Sequence, residues 1–310
     1  MNKNRYAGLL NGLKASKVEF LENESMSAYS SIKIGGLTDL IIFPKNEREL
    51  VSIINLLKVN SCGYYNYIIG RGTNILFKDD RICLPVISFK KFNVNLSENK
   101  KNESEIVLEV GAGMPLSKIL NHAMKNNMGG CEFFYGIPGT LGGAVKMNAG
   151  SKESVIGNIT NAIEIITDEG LKYIIKKNDL KFSYRNLDIN GIKDNYFITK
   201  AYLKLYKASE SKIAENIQIF KKRKSSQPLG DFSLGCIFKN PPGVSAGEII
   251  EEIGFKGFSK GGAFVSEKHA NFIVNKGGAK PDDIISLIKI IQEKALSHKG
   301  IKLDMEIKII

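Results

Sequence analysis

Hydrophobic positions change their period several times along the chain. Leu40-Ile41-Ile42-Phe43 is a short apolar run stopped by Pro44, which reads as a buried strand. Asn46 followed by Glu49 then reads as a reciprocally capped helix start, and Leu50, Ile53, Ile54 and Leu57 carry the helical period. Residues 67–77 predict strand, turn and strand, and residues 82–87 and 106–110 predict further strands. Over 115–127 the spacing predicts a helix with Leu116, Ile119, Leu120, Ala123 and Met124 inward. Residues 161–167 and 171–176 flank Asp168-Glu169-Gly170, a hairpin signal. Residues 196–206 read as a long strand and 212–224 as a helix. Residues 227–240 read as loop, because they hold Pro228, Gly230 and Gly235 and run into Pro241-Pro242. Helices follow over 246–253 and 282–296. Alternation over 302–309 predicts a last strand, with Leu303, Met305, Ile307 and Ile309 on one face and Asp304, Glu306 and Lys308 on the other. The regular βαβ rhythm of a doubly wound sheet is absent, and no internal repeat is visible. This order predicts an N-terminal lead-in over 1–30, two lobes up to residue 207, and a smaller α+β domain over 208–310.

Two glycine-rich stretches interrupt the pattern. From Tyr135 to Gly150 there are five glycines and one proline in sixteen residues, mixed with apolar side chains. A flexible linker would instead be rich in serine and charge. Glycine opens positive φ, and successive bare N–H groups then face an anion at close range, with a diphosphate as the usual guest. The alternative is a tight turn between two buried strands. The second stretch is Gly70-Arg71-Gly72-Thr73-Asn74, set between Tyr67-Ile68-Ile69 and Ile75-Leu76-Phe77. No long helix follows it, so it is not a GxGxxG fingerprint, and no Gly-Lys-Ser/Thr ends it, so it is not a Walker loop. The pair points to a nucleotide cofactor bound outside the Rossmann class.

Composition narrows the class. With 310 residues and 43% apolar composition, the chain has core enough for two or three domains. No apolar run approaches the ~18 residues of a membrane span, and Met1 to Lys17 lacks the apolar block of a signal peptide. Cys62, Cys83, Cys131 and Cys236 are far apart and form no CxxC pair, as expected of reduced cytoplasmic thiols. His122, His269 and His298 have no ligand-like spacing, so no metal site is expected. The net charge of +12 fits either nucleic-acid binding or the steering of anionic ligands. The densest run, Lys221-Lys222-Arg223-Lys224, closes a helix, where cations suit the dipole, and lysine is otherwise scattered. Small anionic substrates are therefore the expected partners, with no nucleic acid, membrane or obligatory protein partner.

Three settings have chemical potential. Arg185 in Phe182-Ser183-Tyr184-Arg185-Asn186 stands beside aromatics between two strands, where a guanidinium can hold a carboxylate or phosphate bidentately; a surface ion pair is the plainer reading. Cys236 in Gly235-Cys236-Ile237-Phe238-Lys239-Asn240-Pro241 is either a small reactive thiol or a buried structural one. Glu306 lies on the polar face of the last segment, where a solvated carboxylate is the ordinary outcome.

Taken in order, these segments resemble the UDP-N-acetylenolpyruvoylglucosamine reductases. The resemblance runs from Ser31 to the end. It rests on Ile32-Lys33-Ile34-Gly35-Gly36, Gly70 to Leu76, Gly136 to Val145 with Met147-Asn148-Ala149-Gly150, Tyr184-Arg185, Gly235 to Pro241, Lys268-His269-Ala270-Asn271-Phe272 and Met305-Glu306-Ile307. It implies an α+β chain with a two-lobed FAD-binding domain of the vanillyl-alcohol-oxidase (PCMH) type and a C-terminal substrate-binding domain. It implies bound FAD, with NADPH as co-substrate, and reduction of UDP-N-acetylglucosamine enolpyruvate to UDP-N-acetylmuramate for peptidoglycan. The cofactor would then lie against Gly70, Arg71, Gly72, Thr73 and Asn74, and against Gly136, Ile137, Pro138, Gly139, Thr140, Gly142, Gly143 and Ala144.

The resemblance also implies roles. Arg185 matches the arginine that stabilises the enolate-like intermediate, and Glu306 matches the catalytic glutamate. Tyr184, Lys239 and Asn240 fall at substrate-side positions, where strand-end capping is the competing role of the last two. His269 is expected to be structural. The usual proton donor after the glycine is serine, and here it is Cys236. A thiol with pKa near ~8.5 is mostly protonated at neutral pH and is a stronger acid than an alcohol, so it serves as donor, at the cost of alkaline and oxidative sensitivity. Leu187 stands where many relatives have serine. No tyrosine-bearing insertion is visible in the C-terminal half, which resembles the shorter type in the family. The competing classes are another FAD oxidoreductase of this fold, a non-catalytic flavin-binding relative and a basic nucleic-acid-binding protein.

Overall fold

The computed structural model describes residues 6–62, 67–100, 105–151, 153–193 and 195–310. The chain divides into two compact units. One comprises the N-terminal segment up to Glu22 together with Leu40–Gly70 and Cys83–Lys221. The other comprises Asn23–Asp39, Arg71–Ile82 and Lys222–Ile310.

Two sheets belong wholly or mainly to the first unit. The smaller sheet orders Glu19–Ser25, Leu37–Phe43, Val86–Ser88 and Tyr67–Ile69, the last three strands being parallel. Helix Glu47–Val59 packs on it through Leu50, Ile53, Ile54 and Leu57. Its start is capped as predicted: Asn46 Oδ1 accepts from Glu49 N at 3.0 Å, and Glu49 Oε2 accepts from Lys45 N at 2.8 Å, one residue earlier than a reciprocal box places it. Of the lead-in, the part up to Glu22 belongs to this unit. Helix Ala7–Ala15 buries Leu9 and Leu13 in the same core. The first five residues of the lead-in lie outside the described residues.

The larger sheet is antiparallel, in the order Lys172–Lys176, Thr160–Thr167, Tyr196–Lys207, Glu105–Gly111, Leu96–Lys100, with Met128–Gly129 added to Tyr196–Lys207. One face buries Leu108, Val110, Ile163, Ile165 and Leu203 with helices Leu116–Lys125 and Glu210–Lys224. The other face contributes Ile166 and Phe197 to the core of the smaller layer, where Phe197 lies 6.3 Å from Phe89, ring to ring. The two lobes thus share apolar surface within one unit.

In the second unit a four-stranded antiparallel sheet orders Phe232–Cys236, Phe272–Asn275, Ala263–Val265 and Ser259–Lys260. Helices Ala246–Glu252 and Pro281–Lys299 cover it, with Ile249, Ile250, Ile284, Leu287, Ile288 and Ile291 buried. Ile32, Ile34 and Leu76 enter the same core from the two earlier segments.

Four local expectations need correction. The strand expected over 82–87 shortens to Val86–Ser88, with Ile82 in an isolated bridge to Thr38; Pro85 offers no N–H to continue the ladder. Met124 is exposed, because it sits about 100° round the helix from buried Ala123. The supposed loop at 227–240 contains strand Phe232–Cys236, whose Gly235 marks a bulge rather than a loop. The alternation near the C-terminus forms a ladder only at Lys308–Ile309, parallel to Ile75–Leu76, and Met305 is exposed while Leu303 and Ile307 are buried.

Candidate active site

In the first unit Gly70, which opens the shorter glycine-rich stretch, lies against Thr140 of the longer one. A β-carbon on Gly70 would lie 2.3 Å from Thr140 Oγ1, so glycine leaves the room that the threonine side chain fills. Thr140 is buried and opens the short helix Leu141–Lys146, while Gly136 and Gly139 ahead of it take φ of +69° and +130°. Ile137 is half-buried and Pro138 exposed. Leu141 N and Gly142 N donate to Met114 O and Ala112 O, both at 2.9 Å, which ties the turn to the larger sheet. Gly143 is exposed, and a β-carbon there would meet only Thr140 Oγ1, at 3.6 Å. Ala144 is buried behind it. A bare peptide face on a rigid turn fits close approach of a diphosphate.

The same stretch anchors Arg185. Leu180–Ser183 and Asn186–Ile189 form a hairpin, with Tyr184 and Arg185 as its turn. Arg185 takes φ +57°, a conformation that L-residues pay to adopt. Its Nη2 donates to Gly150 O at 3.3 Å, and its guanidinium lies 5.0 Å from the centroid of exposed Tyr184. Asn148 ties the hairpin down: Nδ2 donates to Ser183 O at 2.9 Å, and Oδ1 accepts from Gly157 N at 3.0 Å. Leu187, in place of serine, is wholly buried in the apolar core, so its side chain brings no hydrogen bond to Arg185.

The second unit holds Cys236 and Glu306 on neighbouring segments. Pairing between Phe232–Cys236 and Phe272–Asn275 slips between Ser233 and Cys236, with Gly235 at φ +77°. The half-buried Cys236 rejoins the ladder just after the bulge, opposite Phe272. Glu306 N donates to Ile237 O at 2.8 Å, and Lys239 N donates to Asp304 O at 2.8 Å. Glu306, itself half-buried, is held from the other side as well, because Asn74 Nδ2 donates to Glu306 O at 3.1 Å. Asn74 belongs to the first glycine turn. In that turn Arg71 is exposed, Thr73 half-buried, and Gly72 closely packed, since a β-carbon there would lie 2.0 Å from Tyr29 O. The boundary between the units falls inside this turn, after Gly70.

Asn240 Oδ1 accepts from Ala246 N at 3.0 Å, so this amide caps the helix that follows; Lys239 beside it is half-buried. The motif residue that sequence reasoning passed over is Asn271, only 2% exposed. A polar residue in front of a core strand was the available signal.

Of the other thiols, Cys62 and Cys131 are buried and Cys83 is exposed. Burial, with Glu132 beside it, pushes the Cys131 thiol up to about 12. Burial pulls the His269 ring below the ordinary imidazole value, which suits its structural part: Nδ1 accepts from Asn271 N at 3.2 Å.

The mixed α+β architecture is that of a flavoprotein with an FAD-binding domain of the vanillyl-alcohol-oxidase (PCMH) type and a C-terminal α+β domain. Residues 38–172 match the family described as FAD binding domain, and residues 227–310 match the C-terminal domain of UDP-N-acetylenolpyruvoylglucosamine reductase. The UDP-N-acetylenolpyruvoylglucosamine reductase of Clostridium botulinum is 38% identical over 94% of this chain and 92% of its own. That of Syntrophobacter fumaroxidans is 34% identical over 94% of this chain and 84% of its own. The crystal structure of the Thermus caldophilus enzyme superposes with a TM-score of 0.77 at 29% identity, covering 94% of this chain and 98% of that one. The chain belongs to the UDP-N-acetylenolpyruvoylglucosamine reductase family. It is an oxidoreductase with FAD as cofactor and NADPH as co-substrate. No helix among the described residues is long and apolar enough to cross a membrane.

Proposed function

We propose that Arg185, Cys236 and Glu306 carry the steps by which this chain reduces UDP-N-acetylglucosamine enolpyruvate to UDP-N-acetylmuramate, in the cytoplasm, for peptidoglycan precursor synthesis. FAD, when bound, would supply the hydride chemistry that links NADPH to the terminal vinyl carbon of the substrate. Negative charge then builds on the neighbouring carbon and its carboxylate. Arg185 opposes that charge from a strained, braced turn, and a preorganised guanidinium loses little on meeting it. Glu306 supports the same intermediate or its protonation. Cys236 gives its thiol proton to the carbanionic carbon, forming the C–H bond, and the thiolate recovers a proton from solvent. The cofactor is held by Gly70 to Asn74 and Gly136 to Ala144, and Tyr184, Lys239 and Asn240 take the substrate side.

The observation that carries this reading is the direct backbone link between the segments of Cys236 and Glu306, through Glu306 N and Ile237 O at 2.8 Å. Alkylation tests it. Cys83 is the other accessible thiol, so the assay uses a Cys83→Ser background. Iodoacetamide should leave flavin bleaching by NADPH intact, abolish its return on adding the enolpyruvyl nucleotide, and act more slowly when that nucleotide is present. Full modification of Cys236 with turnover retained would refute the donor role.

A further inference from the structure

We infer that Asn271 is a positioning residue for Cys236, holding the peptides that follow the thiol so that Cys236 and Glu306 act on one substrate carbon. The inference rests on the proton-donor reading of Cys236. The Asn271 side chain bonds the main chain of Phe238, two residues after the thiol, and acts through that main chain.

The ladder between Phe232–Cys236 and Phe272–Asn275 has its last register pair at Cys236 and Phe272, just after the bulge at Gly235. Beyond that point the strand lacks a regular partner on this side. Asn271 takes the partner's place. Its main-chain carbonyl accepts from Ile237 N at 2.9 Å. Its side chain then acts as a substitute peptide: Oδ1 accepts from Phe238 N at 2.9 Å, and Nδ2 donates to Phe238 O at 2.8 Å. One buried residue therefore satisfies three main-chain groups on the two residues after Cys236. On the opposite edge, Ile237 O takes Glu306 N, and Phe238 bridges Met305. The segment that carries the thiol is thus held from both sides, and a shift of the Phe238 peptide moves Cys236 against Glu306.

The chemistry of the amide is specific. A carboxylate keeps the acceptor for Phe238 N but sets a second oxygen against Phe238 O, and alanine leaves both groups unmet in a buried place. His269 completes the support from behind, since its Nδ1 accepts from Asn271 N and its ring packs edge-on against Phe272 at 4.9 Å.

The test uses the FAD-loaded enzyme in anaerobic stopped flow, with Asn271→Asp and Asn271→Ala beside Cys236→Ala. A positioning role predicts flavin reduction by NADPH within about twofold of the parent. Reoxidation by the enolpyruvyl nucleotide should slow about 10- to 100-fold, the scale of a displaced reacting group. Its solvent deuterium isotope effect should rise as proton delivery becomes limiting. Should Asn271→Ala fail to fold, the near-isosteric aspartate variant carries the same readouts. Equal slowing of both half-reactions, or normal rates in both, would overturn the inference. Slow reoxidation in Cys236→Ala but not in the Asn271 variants would overturn this inference alone. Slow reoxidation in the Asn271 variants with a normal rate in Cys236→Ala would remove the donor reading and this inference together.

Discussion

Asn148 offers the most direct test of how the fold braces its arginine. The residue is 6% exposed, sits at φ +41°, and joins the glycine-rich stretch to the hairpin that carries Arg185. Replacing it by alanine removes two hydrogen bonds with unequal consequences. Gly157 N is buried, so its loss incurs the full desolvation cost, about 1–3 kcal/mol. Ser183 is exposed and its carbonyl can turn to water, so that bond is worth about 0.5–1 kcal/mol. Alanine at a left-handed φ adds about 1 kcal/mol, where asparagine is tolerated. The sum is about 2.5–5 kcal/mol, a drop of roughly 4–8 °C in Tm for a chain of 310 residues.

Asn148→Gly loses the same bonds but not the backbone conformation. It should therefore be milder than Asn148→Ala by about 1 kcal/mol, against the usual order in which glycine is the worse residue. Thermal unfolding of the holoprotein at one fixed excess of FAD measures both, since cofactor binding itself raises Tm. In both variants the reoxidation half-reaction should slow more than the NADPH half, because Ser183 leads directly into Tyr184-Arg185. An alanine variant as stable as the glycine variant, or a loss below 1 kcal/mol, would refute the reasoning.

Two further predictions concern the cofactor turn and the charged network of the first unit. Gly70→Ala forces a β-carbon to within 2.3 Å of buried Thr140 Oγ1, which should cost about 1–3 kcal/mol and weaken FAD binding about tenfold by flavin fluorescence titration; unchanged affinity would count against the paired-turn site. Glu47 pairs with Lys172 at 2.6 Å, and although burial pushes its carboxyl up, the hydrogen bond from Lys172 and the charges of Lys172 and Lys200 hold it below the ordinary value. A lowered folded pKa gives stability above the unfolded value near about 4.3 and loses it as pH falls through the folded one, so Glu47→Gln should be less stable than the parent by up to about 1 kcal/mol at pH 7, with the gap closing in acid denaturation below about pH 4. Lys172, raised to about 12, keeps its charge across that range, and a gap that persists at pH 3 would refute the assignment.

What was legible in the sequence follows from the range of the forces involved. Asn46 with Glu49, the apolar period of Glu47–Val59 and the turn at Asp168-Glu169-Gly170 are local, and each formed where the pattern put it. Strand Phe232–Cys236 was hidden because glycine and proline are counted as loop signals, yet a bulge uses glycine inside a sheet. The C-terminal alternation was misleading for the opposite reason: its ladder partners lie far away, at Ile75–Leu76 and Phe238, and only part of it finds them. The glycine turns show a related limit. Composition suggested bare peptides for an anion, but Gly70 and Gly72 are required first by Thr140 and by Tyr29, contacts that no local window contains.

The same distinction separates the residues proposed for chemistry from those that support them. Arg185 at positive φ and Cys236 after a positive-φ glycine break local backbone rules, and such breaks tend to mark functional turns. Of the asparagines that hold these turns, Asn148 shares the positive φ, which asparagine tolerates, and Asn271 betrays itself only by being buried while polar. Their partners are 35 and 33 residues away in sequence. A short motif can therefore point to the reacting group, whereas the geometry that makes it effective is written in side-chain amides whose purpose appears only once the chain is folded.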